Sequence, residues 1–185
     1  MSHGHPRAPV LTAGTGGQEP SSPVLPDLMQ PGTLLPAARW VCRRIVSCPP
    51  NPGLASKTAR EFTTQILRGW GLLALAEDAT VIVSELVTNA VRHGGRCAVV
   101  PDPVELILWR QSGQVVCAVT DPGADPPVLT QPDPLAEAGR GLHVIEALSA
   151  TWGWTRLSGR RKAVWAALPL PAAEAGVQEC RSRSA

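Results

Sequence analysis

Residues 81–95 read VIVSELVTNAVRHGG, and this stretch decides the fold. Its apolar residues recur at the spacing of an α-helix. The pattern extends back to Ala76, and two consecutive glycines, Gly94 and Gly95, are typical of a helix end. We therefore predict a helix over about residues 76–93, apolar around much of its circumference.

Two polar side chains stand inside this apolar helix. Glu85 and Asn89 are four residues apart and so share one face, and Arg92 follows three residues later on the same stripe. A carboxylate and an amide are costly to bury without partners. The pattern is compatible either with a solvated polar face or with a ligand site, and the helix alone does not decide between them.

Strand and helix patterns alternate on both sides of this helix. A helix is predicted from Ser56, as its cap, to about Arg68, with Gly69 and Gly71 ending it. A short helix is expected after Gly139-Arg140-Gly141. The order favours an α+β two-layer sandwich, with helices on one face of a mixed, mostly antiparallel sheet. The predicted strands are residues 38–46, 104–110, 115–120, 152–157 and 162–168.

The chain divides into three parts by composition. Residues 1–33 contain six Pro and five Gly, and such a segment buries too little apolar surface to offset the entropy of ordering it. We expect a disordered leader over residues 1–34, one core domain over 35–170 and a flexible tail over 171–185. The core is long enough for one hydrophobic interior.

The charge balance excludes several classes of protein. Seventeen Lys and Arg face fifteen Asp and Glu, which gives a net charge of +2, whereas nucleic-acid-binding domains usually show a basic excess. The sequence contains no run of about 18 apolar residues, so it predicts no membrane span. It also shows no recognisable signal peptide. The five cysteines form no CxxC pair, which favours a reducing cytoplasm.

Two glycine motifs complete the set of candidate site residues. Asp121-Pro122-Gly123 stands where a strand is expected to end, and Gly139-Arg140-Gly141-Leu142 opens a helix whose first turn offers N–H groups to anions. Each motif alone is weak, because Asp-Pro-Gly turns and glycine-opened helices are common. A GxxxxGK[ST] loop, the mark of P-loop proteins, does not occur.

Taken together, the motifs resemble a known family. The segments SELVTNAVRHGG, VTDPG, GRGLHVIEAL and KAVWAALP are similar, in order and spacing, to the boxes of the Bergerat-fold (GHKL) histidine-kinase-like ATP-binding domain. The resemblance is strongest to its anti-sigma-factor/serine-kinase branch of actinomycete type. It covers about residues 38–169.

The resemblance implies a role for each candidate residue. Asn89 would coordinate Mg²⁺ and Glu85 would act as general base, while Arg92 would lie near the phosphates. Asp121 would accept the adenine amino group and Gly123 would make room for the ring. A lid over residues 124–138 would cover ATP, whose phosphates would be bound by Gly139, Arg140, Gly141 and Leu142.

Two positions depart from the family pattern. The first glycine box usually reads DxGxG, and here a carboxylate, Asp125, replaces the second glycine. The closing strand often carries a threonine that supports adenine, and the sequence assigns that position to Ala163. Loss of one hydrogen bond there would lower ATP affinity by about threefold to tenfold.

Two functions follow from these expectations. The first is a cytoplasmic, ATP-dependent serine/threonine protein kinase of anti-sigma-factor type. Its partner would be a sigma factor or an anti-sigma antagonist, and a homodimer is possible. The second is a catalytically weak nucleotide-sensing module that sequesters a regulator without phosphoryl transfer. A histidine kinase is disfavoured, because the residues before the core are too few and too rich in Pro for a dimerisation hairpin. A small domain without ligand is a further alternative.

Overall fold

The computed structural model describes residues 39–46, 52–93, 103–111, 113–121, 123, 125–128, 140–157 and 161–171. The leader over residues 1–34 and the tail beyond residue 171 lie outside these ranges, so the boundaries expected for them stay predictions. Within the described ranges, no helix has the length and apolar character needed to cross a membrane.

The described elements alternate along the chain as strand, two helices, two strands, helix and two strands. A short 3₁₀ turn, Leu73–Leu75, leads from the first helix into the second. The elements are β1 (Arg39–Val46), α1 (Pro52–Gly69), α2 (Ala76–His93), β2 (Val104–Gln111), β3 (Gln114–Asp121), α3 (Gly141–Leu148), β4 (Thr151–Arg156) and β5 (Lys162–Pro169).

The strands form one five-stranded sheet in the order β1-β2-β3-β5-β4. Every neighbouring pair of these strands is antiparallel. All three helices contribute to the principal hydrophobic core, together with alternate residues of the strands. The predicted α+β sandwich is therefore confirmed.

The helix that the sequence marked most clearly occupies the centre of the helical layer. Helix α2 packs on β2, β3 and β5 and also against α1 and α3. Its inward stripe is 0–3 % exposed and consists of Ala79, Ile82, Val83, Leu86, Val87 and Ala90. Burial of this stripe fixes how the helix is rotated about its axis, and hence where its polar residues lie.

The opposite face of the sheet carries a second apolar cluster made of strand residues alone. Its largest members are Trp109 and Trp165, which are at most 8 % exposed. Ile107, Val116, Ala118 and Ala167 complete it. The sheet is thus apolar on both faces, as the long hydrophobic runs of β3 and β5 indicate.

The start of α1 differs from the prediction that Ser56 caps it. The helix begins at Pro52, because proline suits the first helical turn, where an N–H group is not needed. Ser56 therefore lies inside the helix. Its hydroxyl donates to the Ser84 carbonyl at 3.3 Å and lies 2.9 Å from the hydroxyl of Thr88, so it joins α1 to α2 instead of capping a helix.

The end of α1 follows the prediction. Gly71 has a φ of +74°, and its N–H donates to the Arg68 carbonyl at 3.1 Å while the Leu72 N–H donates to the Leu67 carbonyl at 2.8 Å. This is a Schellman motif, in which a left-handed residue lets the chain satisfy the last helical carbonyls. It turns the chain into the 3₁₀ turn that leads to α2.

Replacing Gly71 with alanine tests this turn. The space around Gly71 is open, so the penalty is conformational, and we expect Gly71→Ala to lower the free energy of unfolding by about 1–2 kcal/mol. Gly69→Ala is the matched control, since that site is equally open but has no positive φ. Urea unfolding should show the control unchanged or slightly stabilised, and equal losses in both variants would contradict the assignment.

Candidate nucleotide site

The polar edge of α2 lies beside its buried stripe. Glu85 and Asn89 are both half-buried, one turn apart, whereas Arg92 near the helix end is exposed. The hydrogen bonds from Ser56 to this helix lie at Ser84 and Thr88, next to Glu85 and Asn89 in sequence. Contacts with α1 on one side and the sheet below therefore hold the Glu85 backbone in place.

The two polar residues of α2 face the first residue of α3. A Cβ atom added to Gly141 would lie 2.6 Å from Oε2 of Glu85 and 3.3 Å from Nδ2 of Asn89. Only glycine fits at this distance without displacing the carboxylate. The structure therefore brings together two of the motifs that the sequence analysis singled out, although about fifty residues separate them.

The beginning of α3 is suited to negative charge. Its first intrahelical bond runs from the Val144 N–H to the Arg140 carbonyl at 3.1 Å, and Arg140, the N-cap residue, makes no side-chain capping hydrogen bond. The first N–H groups of a helix have no intrahelical acceptor, and the helix dipole places partial positive charge there. Glu85 thus points its carboxylate towards an end of a helix that attracts anions.

The first glycine motif lies at the end of β3, where Asp121 is 3 % exposed. Its Oδ1 accepts the Gly123 N–H at 2.7 Å. Its Oδ2 lies 2.7 Å from Nζ of Lys162, and both side chains are only 5 % exposed. Lys162 also donates to the Gly123 carbonyl at 2.9 Å. One carboxylate and one ammonium group therefore join Gly123 to the end of β3 and to the start of β5.

Sequence reasoning missed Lys162 and assigned the supporting position to Ala163 instead. The strand register corrects this: Lys162 pairs directly with Asp121, whereas Ala163 pairs with Thr120. Because successive residues of a strand point to opposite faces, Ala163 faces away from Asp121. In the sequence, Lys162 ends the basic run Arg160-Arg161-Lys162 at the start of an apolar strand, and its partner could be found only from the register.

The remaining candidate residues are distributed around these two contacts. Arg140 is exposed at the start of α3, and Leu142 packs against the main core. Asp125 is exposed. Gly139 and most of the expected lid lie outside the described residues, so their roles stay predictions.

The donor set fits a magnesium nucleotide better than a metal bound by protein alone. The described part of the chain has no group of three or more His, Cys, Asp and Glu side chains able to enclose a metal ion. Mg²⁺ in phosphate sites keeps several waters and takes only one or two protein oxygens. The Asn89 amide and the bare backbone of Gly141 provide a suitable polar cradle.

Comparison with known proteins identifies the family. The family model of the histidine kinase-like ATPase domain matches residues 48–168, which is more than half of the chain. The chain therefore belongs to the histidine kinase-like ATPase domain family. Comparison with curated protein sequences finds no match.

A solved structure shares the fold. It is the crystal structure of the RsbU and RsbW domains of Rv1364c from Mycobacterium tuberculosis, similar with a TM-score of 0.53 and 19 % identity. The match covers 71 % of this chain and 33 % of that chain, so the present protein spans about a third of the length of its structural neighbour. At this identity the likeness concerns the fold alone.

A double-mutant cycle tests the contact between α2 and α3. The Cβ of Gly141→Ala would displace the end of the Glu85 side chain, and Glu85→Ala removes that obstacle. We expect an interaction energy of about 1 kcal/mol between the two substitutions, measured by urea unfolding. Glu146→Ala is the control, because Glu146 is exposed on the same helix as Gly141. Additive effects of Gly141→Ala and Glu85→Ala would show that the two residues do not touch.

Proposed function

We propose that this protein binds Mg-ATP and transfers the γ-phosphoryl group to a serine or threonine of a partner protein, as an anti-sigma-factor-type kinase. One observation carries the proposal: the Glu85 carboxylate lies against the backbone of Gly141, at the start of α3. A proton acceptor and an anion-binding helix end are two of the elements that serve phosphoryl transfer to a hydroxyl group.

The proposed nucleotide position spans both contacts. Asp121 would accept the adenine amino group beside Gly123, and Arg140, Gly141 and Leu142, with Gly139, would bind the phosphates by backbone N–H groups. Asn89 would contribute its amide oxygen to Mg²⁺, with Arg92 near the phosphates. The bound Mg²⁺ would neutralise phosphate charge during transfer. The low net charge of the chain, +2, is compatible with such a site because backbone groups and the ion supply the positive potential.

In the proposed step, Glu85 accepts the proton of the partner's hydroxyl group. The hydroxyl oxygen forms a bond to the γ-phosphorus while the bond between that phosphorus and the β,γ-bridging oxygen breaks. ADP leaves with the electron pair, and the partner becomes a phosphate ester. The positive end of α3 favours the negative charge on the phosphates but also holds the Glu85 carboxylate close to them.

The choice of partner rests on resemblance. The motifs are similar to the anti-sigma-factor branch, and the structural neighbour contains a domain described as RsbW. We therefore propose a sigma factor or an anti-sigma antagonist as the partner, in the cytoplasm, with the serine-bearing antagonist as the phosphate acceptor. Homodimerisation is a further part of the proposal.

A nucleotide-sensing module without phosphoryl transfer is the second candidate. Asp125 favours it, because it places an exposed carboxylate where the family pattern has glycine. Close to phosphates, that charge would oppose nucleotide binding. The register weakens the other argument for a defective site, since Ala163 does not face Asp121.

Glu85→Gln distinguishes the two candidates. Glutamine preserves shape but does not accept a proton, so we expect phosphate transfer to fall by about 10²–10⁴-fold while the ATP dissociation constant changes little. The assay combines radiolabelled Mg-ATP with candidate antagonist proteins from the source genome, and binding is measured by calorimetry. Glu146→Gln is the matched control on the exposed side of α3.

The two candidate functions predict different results in these assays. Transfer that persists in Glu85→Gln at the wild-type rate would exclude Glu85 as the base. ATP binding by the wild-type protein with no transfer to any antagonist would favour the sensing module.

A further inference from the structure

The buried pair of Asp121 and Lys162 is not explained by the proposed phosphoryl transfer. Lys162 is only 4 % exposed. The other residues of β5 that face the helices are apolar. It is one of only two lysines in the chain, the other being Lys57 on the exposed side of α1. Burying an ammonium group in this position therefore calls for a specific reason.

The geometry shows what Lys162 does to Asp121. The ammonium group bridges Oδ2 of Asp121 and the carbonyl of Gly123, at 2.7 and 2.9 Å. The Gly123 N–H donates a hydrogen bond to Oδ1 of Asp121 at 2.7 Å. Both oxygens of the carboxylate are therefore fixed in direction. An ionised carboxylate has about four lone-pair sites, so it still has acceptor capacity for a ligand.

Stability alone is a poor explanation for this pair. Replacing a buried ion pair with apolar residues of similar size is often neutral or stabilising, because desolvation offsets the attraction between the charges. The ion pair instead fixes where the carboxylate oxygens of Asp121 point. A carboxylate accepts hydrogen bonds and donates none.

We propose that Lys162 is a positioning residue of the base subsite, which holds Asp121 as an oriented, ionised acceptor and so favours adenine over guanine. At the same ring position, adenine presents an amino donor and guanine a carbonyl acceptor. An ionised carboxylate attracts the first and repels the second. Without the ammonium group, the carboxylate is no longer held towards the amino donor of adenine. Loss of Lys162 therefore weakens adenine binding more than guanine binding and lowers the discrimination. This inference rests on the proposed binding of ATP.

The test compares Lys162→Met with Lys57→Met in the full-length protein, since methionine has similar length and no charge. Circular dichroism first establishes folding, and calorimetry then gives dissociation constants for Mg-ATP and Mg-GTP. For Lys162→Met we expect weaker ATP binding, by about tenfold to a hundredfold, and a GTP-to-ATP ratio of dissociation constants that falls at least about tenfold. Lys57→Met, whose side chain is 65 % exposed in the native protein, should match the wild type.

Lys162→Arg provides the rescue. It returns a cation opposite Asp121, so the preference for ATP over GTP should recover towards the wild-type ratio, whereas a purely structural role would leave the ratio unchanged in every folded variant. A folded Lys162→Met that keeps the wild-type ratio overturns this inference alone. Absence of ATP binding by the wild-type protein overturns the proposed function, and this inference with it.

A measurement on the wild-type protein decides the case in which Lys162→Met does not fold. With only two lysines in the chain, lysine-selective isotope labelling yields two side-chain signals in an NMR spectrum. Adding Mg-ATP should shift the Lys162 signal and leave that of Lys57 in place. A Lys162 signal that does not move at saturating ATP would overturn the inference.

Discussion

The rest of the structure depends on the burial of one face of α2. The stripe that includes Ile82, Val83 and Val87 is 0 % exposed against the sheet, and each such side chain contributes about 1.5–3 kcal/mol when removed from water. A one-residue change of register along this helix would rotate the stripe by about 100°. The apolar packing therefore sets, as a by-product, the direction of Glu85 and Asn89.

The same burial explains why the site is formed at an edge and not within the core. Glu85 and Asn89 flank the apolar stripe and are half-buried. Part of each side chain therefore packs against the protein, and part stays accessible. Helix α3 meets them there with a glycine, because any Cβ would displace the carboxylate. The chemistry of the site thus depends on packing that is itself free of polar groups.

The sequence predicted α2 correctly from residue 76 to residue 93, because its apolar repeat and its flanking residues agree. The sequence also predicted the fold class, because the patterns of the other helices and strands agree with their flanking residues in the same way. It failed where two local rules compete. At the start of α1, both Pro52 and Ser56 are good helix-start residues. The structure shows that the helix begins at the proline and that Ser56 contacts α2 instead.

The base subsite shows a different limit of sequence reasoning. An error of one residue in a strand moves a side chain to the opposite face of the sheet. Ala163 was expected to support adenine beside Asp121, but it lies on the other face of the sheet. Motif comparison assigns residues to a strand without stating which face they occupy. The pairing of Asp121 with Lys162 became visible only through the antiparallel register of β3 and β5.

The two halves of the site rely on different physical effects. At the start of α3, positive potential comes from the backbone, which carries no net charge and suits phosphates of any nucleotide. At the end of β3, the carboxylate of Asp121 and the ammonium group of Lys162 are both almost fully buried. Electrostatic interactions are stronger there than at the surface, so the proposed acceptor would discriminate sharply between a donor and an acceptor on the base. Selectivity for the base is therefore expected at β3 and β5, and affinity for the phosphates at α2 and α3.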